Sequence, residues 1–211
     1  DKNFDYLAAG ETLTLTYTVE VNDHHGGIAS QPVIIMIVGS NDTPVITSAA
    51  QAATIIEQPD TTGSSKPDSA SGTVTFTDAD LSDTHAVTIT GVAEAGATTG
   101  LTEDESTILN WLSLGTLTDA TGGVTGASTW TFSAADKNFD YLAAGQTLTL
   151  TYTIQIDDHH GGVVTQPITI TIDGSNDAPT LANVLAGTLV DTAANDTFSP
   201  LTGTLHGNDV D

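Results

Sequence analysis

The sequence contains no cysteine and very little positive charge. Its 211 residues include 3 Lys and Arg against 27 Asp and Glu, for a formal net charge of -24 at pH 7. Without cysteine, neither a disulfide nor a thiolate metal site can form. Nucleic acids and anionic membranes bind clustered cations, so we predict neither as a partner. Metal cations are the expected partners of so acidic a chain.

The sequence also lacks long apolar runs and the residue combinations typical of enzymes. No run approaches the ~18 apolar residues of a membrane span, which predicts no direct membrane insertion. No nucleophile stands with a base and no glycine-rich phosphate loop is present, so we predict that the protein is not an enzyme. The chain begins in the middle of a pattern, so we interpret it as a segment of something longer, and the absence of a signal pattern at its start says little about that longer protein.

Internal repetition organises the residues that are present. Residues 1–44 align without gaps on residues 136–179, and 31 of these 44 positions are identical. GTVTFTDAD at 72–80 is similar to GTLHGNDVD at 203–211, which relates the end of the chain to its middle. The chain therefore contains one repeat and parts of two others.

Turn-forming residues mark the boundaries between the repeats. GSNDTP at 39–44 and GSNDAP at 174–179 combine Gly, Asn, Asp and Pro, as linkers do. They predict the C-terminal half of a repeat at 1–42, a complete repeat at 43–177 and the N-terminal part of the next at 178–211.

Apolar residues alternate with threonine along short runs such as TLTLTYTVEV at 12–21. This alternation is typical of half-buried strands. Many such runs, separated by turns, predict an all-β fold of antiparallel sandwiches of the immunoglobulin type. Residues 1–42 then supply strands F and G of their repeat, and residues 178–211 supply strands A and B of theirs.

Two local patterns add detail to this fold. EDESTILNWLSLG at 103–115 is the one helical candidate and predicts a short helix near 104–113. LAAGQTLTLTYTI at 142–154 resembles a tyrosine corner, in which the Tyr152 hydroxyl bonds to the backbone of the preceding corner. Trp111 and Trp130 are predicted to lie in the core, and His85 and His206 at the surface.

The strand order predicts that acidic residues from separate segments meet at the two ends of the sandwich. The first end collects the B–C loop, the F–G loop and the entering linker: Asn41, Asp42, Asp78, Asp80, Asp83, Asp157 and Asp158. The second collects the end of strand A, the E–F loop and the exiting linker: Glu57, Asp136, Asp140, Asn176 and Asp177. Beyond that linker, Asp209 and Asp211 take the places of Asp78 and Asp80.

Carboxylates crowded in this way repel one another unless a cation lies among them. Ca²⁺ accepts about six to eight oxygen ligands in flexible geometry, whereas Mg²⁺ retains much of its water. The D-x-D spacing of Asp78 and Asp80 lets two carboxylates at a strand end approach one ion. We therefore predict Ca²⁺ as the bound cation.

WTFSAADKNFDYLAAGQTLTLTYTIQIDDHHGGVVTQPITITIDGSNDAP at 130–179 closely resembles the VCBS repeat of large RTX-type bacterial surface adhesins. The resemblance implies an immunoglobulin-like or cadherin-like fold, calcium at the repeat junctions, type I secretion and an extracellular location on the bacterial surface. It also implies a role in cell attachment or biofilm formation. By similarity to cadherin linkers, Asn41, Asp42, Asn176 and Asp177 are junction ligands. The chain departs from the family in its long period and in Val38, which stands where the second copy has Asp173.

Two questions stay open at the level of sequence. The DDHHGG segment at 157–162 favours a hairpin loop, but its histidines also permit a transition-metal or pH-sensing role. The function we predict is a calcium-rigidified extender that holds a binding domain away from the cell. The alternative is a ligand-binding adhesive module whose threonine-rich faces contact glycan, ice or partner cells directly.

Overall fold

The computed structural model describes residues 3–183, 186–191, 193, 197–198 and 200–211. The strands are β1 (Thr12–Asn22), β2 (Ile28–Val38), β3 (Val45–Ile46), β4 (Gln51–Ile56), β5 (Pro67–Thr77), β6 (Ala86–Gly96), β7 (Leu112–Thr118), β8 (Gly126–Ala135), β9 (Thr147–Asp157), β10 (Val163–Asp173), β11 (Thr180–Leu181) and β12 (Gly207–Asn208). One α-helix, α1 (Glu105–Leu109), and one 3-10 turn (Asp136–Asn138) complete the elements of the described residues. The predicted all-β class is confirmed.

Strands β3 to β10 form a sandwich of two four-stranded sheets. One sheet has the order β3-β5-β8-β7 and the other β4-β10-β9-β6. If β5 to β10 are named B to G, these orders are the A-B-E-D and A′-G-F-C sheets of an immunoglobulin-like sandwich. Strand A is split: β3 pairs antiparallel with β5, and β4 then crosses over to pair parallel with β10.

The flanking segments repeat parts of this architecture. β1 pairs with β2 antiparallel, with Tyr17 opposite Val33, in the same register that β9 and β10 use. β11 pairs with β12, with Thr180 opposite Asn208, as Val45 of β3 lies opposite Thr77 of β5. The assignment of the flanking strands to F and G of one repeat and A and B of another stays a prediction, as do the repeat boundaries.

The core is built from alternate residues of the strands. Along β9 the inward residues Leu148, Leu150, Tyr152, Ile154 and Ile156 are fully buried, while the threonines between them face outward and are partly exposed. Full burial of an aliphatic or aromatic side chain stabilises a fold by roughly 1.5–3 kcal/mol, which favours this register over a shift by one residue. The prediction of core positions for Trp111 and Trp130 is confirmed, since they are 8% and 2% exposed.

The helix is shorter than predicted, and the tyrosine-corner prediction is wrong. Asp104 caps α1 by accepting a hydrogen bond from the Thr107 N–H at 2.8 Å, and β7 begins at Leu112. The Tyr152 hydroxyl donates to the Ile108 carbonyl of α1 at 2.8 Å instead of to the E–F corner. Tyr152 lies at the middle of β9, so its hydroxyl is placed under the helix and not near the corner where the strand begins.

No helix among the described residues has the length and apolar character needed to cross a membrane.

Candidate metal centres at the two ends of the sandwich

The turn between β9 and β10 is organised by one carboxylate. Asp158 Oδ1 accepts hydrogen bonds from the N–H groups of His160 at 2.8 Å and Gly162 at 2.9 Å. His159 and Gly161 adopt positive φ angles of 63° and 104°. Glycine tolerates such an angle without steric cost, which explains its presence at 161. The prediction that this segment is a hairpin loop is confirmed.

The same turn forms in the separate β1–β2 hairpin. There Asp23 Oδ1 accepts from the N–H groups of His25 and Gly27, both at 2.8 Å. Because this copy has no sandwich around it, the turn is encoded by its own residues. In the complete repeat the second oxygen, Asp158 Oδ2, accepts a hydrogen bond from Asn41 Nδ2 of the linker at 2.9 Å. One aspartate therefore holds the turn and contacts the linker.

We use the term upper cluster for Asn41, Asp42, Asp78, Asp80, Asp83 and Asp158. The Asp42 N–H donates to Asp80 Oδ2 at 2.7 Å, and the Asp80 N–H donates to Asp78 Oδ1 at 3.0 Å. Asp80 is 0% and Asp83 2% exposed. Burial raises the pKa of both carboxyls, and neighbouring aspartates add to the effect. The pKa of Asp158 is lowered, since the hydrogen bonds it accepts outweigh its burial.

The remaining predicted residue of this end, Asp157, lies at the last position of β9. Its Oδ1 accepts a hydrogen bond from the His159 N–H at 2.8 Å, and its side chain is partly exposed. It supports the turn, whereas Asp158 faces the linker. His160 lies closer to the acids, with Nδ1 3.1 Å from Asp83 Oδ2.

His85 is buried, so the prediction that it lies at the surface is wrong. Its Nε2 lies 2.9 Å from Asp78 Oδ2 and its Nδ1 2.6 Å from Asp119 Oδ1. Burial alone lowers the pKa of His85, but the hydrogen bonds to the two carboxylates outweigh burial and raise it. No local pattern indicates this contact, because Asp119 belongs to a different loop. His206 is exposed, as predicted.

We use the term lower cluster for Glu57, Asp136, Asp140 and Asp177. Each of the first three offers an oxygen within 4.8 Å of the others. Asp136 accepts from the Gln58 N–H at 2.9 Å and from the Thr61 hydroxyl at 2.7 Å, and Asp140 accepts from the Gly63 N–H at 2.7 Å. The chain around residues 57–63 thus holds the E–F acids in place. Burial raises the pKa of Glu57 and Asp140.

Asp68 joins this end of the molecule although the sequence analysis missed it. It is 6% exposed, its Oδ1 accepts from Gln58 Nε2 at 3.0 Å, and burial raises its pKa to about 6. The sequence contains a sign of this position, because side chains alternate between the two faces of a strand and Asp68 is an even number of residues from the inward-facing Val74 and Phe76 of β5.

The exiting linker contacts both of its neighbours. Glu57 Oε2 accepts hydrogen bonds from the N–H and the hydroxyl of Ser175. Two residues later, the Asp177 N–H donates to Asp211 Oδ2 at 3.3 Å, as the Asp42 N–H does to Asp80 at the other end. Asn176 Nδ2 donates to the Asp177 carbonyl at 2.9 Å, and Asp209 is exposed.

A glycine lets this linker begin close to the preceding loop. A Cβ on Gly174 would lie 2.2 Å from the Leu142 carbonyl oxygen, and one on Gly39 would lie 2.3 Å from that of Leu7. Any side chain at these positions would displace the linker from the loop.

Both clusters contain oxygens that are buried without a hydrogen-bond partner. Among the described residues, eight side-chain oxygens have this property, and all eight belong to these two ends of the sandwich. They are Asn41 Oδ1, Asp80 Oδ1 and Asp83 Oδ2 at the upper end, and Glu57 Oε1, Asp68 Oδ2, Asp140 Oδ1 and both oxygens of Asp177 at the lower end. Asp83 Oδ2 is near His160 Nδ1, but that nitrogen is hydrogen-bonded to the Asp158 carbonyl at 3.0 Å and not to Asp83. A buried carboxylate oxygen without a donor is costly, and a bound cation removes that cost. The oxygen-only donor set fits Ca²⁺.

Solved structures with similar folds come from cadherin-like and fimbrial proteins. Zebrafish RET cadherin-like domains 1 to 4 are 12% identical over 78% of this chain and 34% of that one, with a TM-score of 0.33. Protocadherin gamma B2 extracellular cadherin domains 3–6 are 13% identical over 81% of this chain and 35% of that one, with a TM-score of 0.38. The CfaE adhesive subunit of the enterotoxigenic Escherichia coli CFA/I fimbria is 12% identical over 81% and 59%, with a TM-score of 0.35.

The chain spans about a third of the length of the zebrafish RET structure. No protein-family model and no curated protein sequence matches the chain. The strand order and the acidic ends define its class: an all-β, immunoglobulin-like and cadherin-like sandwich.

Proposed function

We propose that the protein is a segment of a calcium-rigidified extender, a tandem array of β-sandwich repeats in a large extracellular bacterial adhesin. The observation that carries the proposal is the confinement of the eight unpartnered buried oxygens to the two ends of the sandwich. The resemblance to VCBS repeats supports the adhesin context, with a role in cell attachment or biofilm formation. The partners proposed are calcium ions and neighbouring repeats of the same chain.

The linker is the element that this function requires to be stiff. Ser175 donates to Glu57 of the sandwich that precedes it, and Asp177 donates to Asp211 of the segment that follows. Two residues that are two positions apart therefore contact two successive repeats. Asp177 is 1% exposed and neither of its oxygens has a hydrogen-bond partner, so both oxygens are available to a cation at the junction.

The residues proposed to hold calcium are those of the upper and lower clusters, with Asp68 added. Calcium, when bound, supplies the positive charge and oxygen coordination that these carboxylates lack. Without it, like charges repel across each junction and the linker bends. The stabilisation grows with ion concentration by mass action, and extracellular modules bind calcium at roughly 0.1–1 mM.

Small-angle X-ray scattering of this chain tests the proposal. In about 1 mM calcium, the maximum dimension should be larger and the profile that of a stiffer particle than in chelator, and magnesium should not substitute. The Asp177→Asn variant should lose most of the calcium response, whereas Glu20→Gln, an exposed acid on the separate hairpin, should retain it. Identical profiles in calcium and chelator would refute the extender. Binding of the isolated chain to a glycan array or to ice would favour a directly adhesive module instead.

A further inference from the structure

His85 is a buried histidine that has no place among the calcium ligands. Its Nε2 faces Asp78 Oδ2 at 2.9 Å and its Nδ1 faces Asp119 Oδ1 at 2.6 Å. Both ring nitrogens are therefore engaged by carboxylates, which leaves neither of them free to coordinate a metal. One edge of the ring packs against Phe76, with centroids 5.0 Å apart at 62°. The imidazole is therefore held on three sides.

Asp119 is itself fixed by the backbone around it. Its Oδ2 accepts from the His85 N–H at 3.1 Å, and its Oδ1 accepts from the Ala120 N–H at 2.7 Å. Asp119 follows β7, His85 precedes β6 and Asp78 follows β5. Since β6 lies in one sheet and β5 and β7 in the other, the three side chains connect both sheets at the upper end.

The contact continues from Asp78 to the linker. Asp78 Oδ1 accepts from the Asp80 N–H at 3.0 Å, and Asp80 Oδ2 accepts from the Asp42 N–H at 2.7 Å. This leaves Asp80 Oδ1 buried and without a partner. A continuous chain of hydrogen bonds thus runs from Asp119 through His85 and Asp78 to the residue whose free oxygen faces the upper cluster.

We propose that His85, supported by Asp119, is a positioning residue that fixes Asp78 and thereby sets the calcium affinity of the upper cluster without touching the ion. This inference rests on the calcium binding proposed above. Its physical basis is preorganisation: partners that orient a ligand carboxylate from behind remove the cost of ordering it when the cation binds. Loss of such a partner typically lowers metal affinity by about 10- to 100-fold.

Calcium titrations of the whole chain, followed by amide NMR, separate the two ends. The Gly162 amide reports on the upper cluster through Asp158, and the Gly63 amide reports on the lower cluster through Asp140. In His85→Leu, the dissociation constant at Gly162 should rise about tenfold while that at Gly63 stays unchanged. His24→Gln, at an exposed turn of the separate hairpin, is the matched control and should leave both constants unchanged.

A double variant provides the rescue. In His85→Gln with Asp119→Asn, the amide introduced at 119 donates to the carbonyl introduced at 85, whose own NH₂ group then donates to Asp78. His85→Gln alone places an amide oxygen against a carboxylate, either that of Asp119 or that of Asp78, so the double variant should bind calcium at Gly162 more tightly than His85→Gln. If His85→Leu does not fold, His85→Gln takes its place with the same expectation, because its single amide cannot donate to both Asp78 and Asp119 in the geometry of the ring.

Unchanged affinity at Gly162 in the variants would overturn the positioning role alone. Equal weakening at Gly63 and Gly162 would also overturn it, because that result indicates general destabilisation. A wild-type chain with no calcium response at Gly162 would overturn both this inference and the function on which it rests.

Discussion

Asp158 shows how a single side chain combines a local and a long-range task. Its Oδ1 closes the F–G turn, and its Oδ2 accepts a hydrogen bond from Asn41 in the linker, 117 residues away in sequence. The turn bonds recur at Asp23, but the linker bond does not, since the separate hairpin lacks an entering linker. The two aspartates therefore form a natural pair for measuring what the junction adds to the turn.

Replacing Asp158 with alanine should lower the free energy of unfolding by about 2 kcal/mol. Hydrogen bonds to charged acceptors contribute about 1.5–3 kcal/mol net, and the variant also leaves buried donors unpaired. Denaturant unfolding, followed by the fluorescence of Trp111 and Trp130 in the sandwich core, measures the change. The matched Asp23→Ala variant should have a much smaller effect on that transition, and equal effects would contradict the junction role of Asp158.

Asp80→Asn should have opposite effects in the absence and presence of calcium. In chelator the variant should melt at a higher temperature than the wild type, because a buried charge beside other carboxylates is removed while its oxygen can still accept from the Asp42 N–H. In calcium the variant should gain less stability than the wild type. Thermal melts of the variant and the wild type in chelator and in calcium measure these two changes in stability, and Glu20→Gln serves as the control. A variant less stable in both conditions would contradict this expectation.

Sequence spacing anticipated part of this site and missed the rest for identifiable reasons. Asp78, Asp80 and Asp158 were predicted to share an end because strand order alone determines which loops lie together. His85 and Asp119 were missed because no local pattern shows that two loops of opposite sheets will exchange hydrogen bonds. Asp68 was missed because it lies before the alternating run GTVTFT at 72–77, although it faces the same side of the strand as Phe76.

At the scale of elements, the regular strands were easier to predict than the division of strand A and the contact between α1 and the sheet. Strict alternation in β9 and β10 leaves only one register that buries the apolar face. The division of strand A into β3 and β4 was not predicted, because the switch depends on open sheet edges that form only in the folded chain. The role of Tyr152 also differs from the prediction, because its hydroxyl donates to the Ile108 carbonyl of α1 and not to the E–F corner.

Tyr152→Phe tests the coupling between α1 and the sheet. The change removes the hydrogen bond to the Ile108 carbonyl and should lower the free energy of unfolding by about 1 kcal/mol. The same tyrosine in the separate hairpin, Tyr17, is 54% exposed, so Tyr17→Phe should have no measurable effect. The midpoints of denaturant unfolding for Tyr152→Phe, Tyr17→Phe and the wild type measure this difference. A neutral Tyr152→Phe variant would mean that α1 contributes little to holding the sheet.

Across the whole molecule, the clusters make stability depend on protons in the absence of calcium. The pKa values of Glu57, Asp80, Asp83 and Asp140 are raised, and that of Asp68 reaches about 6. A carboxyl with a raised pKa binds its proton more tightly in the folded than in the unfolded chain, so it adds stability as the pH falls toward its unfolded value. The raised pKa of His85 acts in the same direction, because its contribution is lost as the pH rises through the folded value. The lowered pKa values of Asp119 and Asp158 act in the opposite direction but involve fewer groups.

In chelator, the melting temperature should therefore rise as the pH is lowered from 7 to about 5, because this range passes through the raised pKa of Asp68 of about 6 and stays above the unfolded pKa of aspartate. In saturating calcium the trend should reverse, because protons compete with the ion for the same oxygens. Melts across this range with calcium, magnesium and chelator measure both slopes. Parallel pH profiles in calcium and chelator would contradict cation binding by the buried carboxylates.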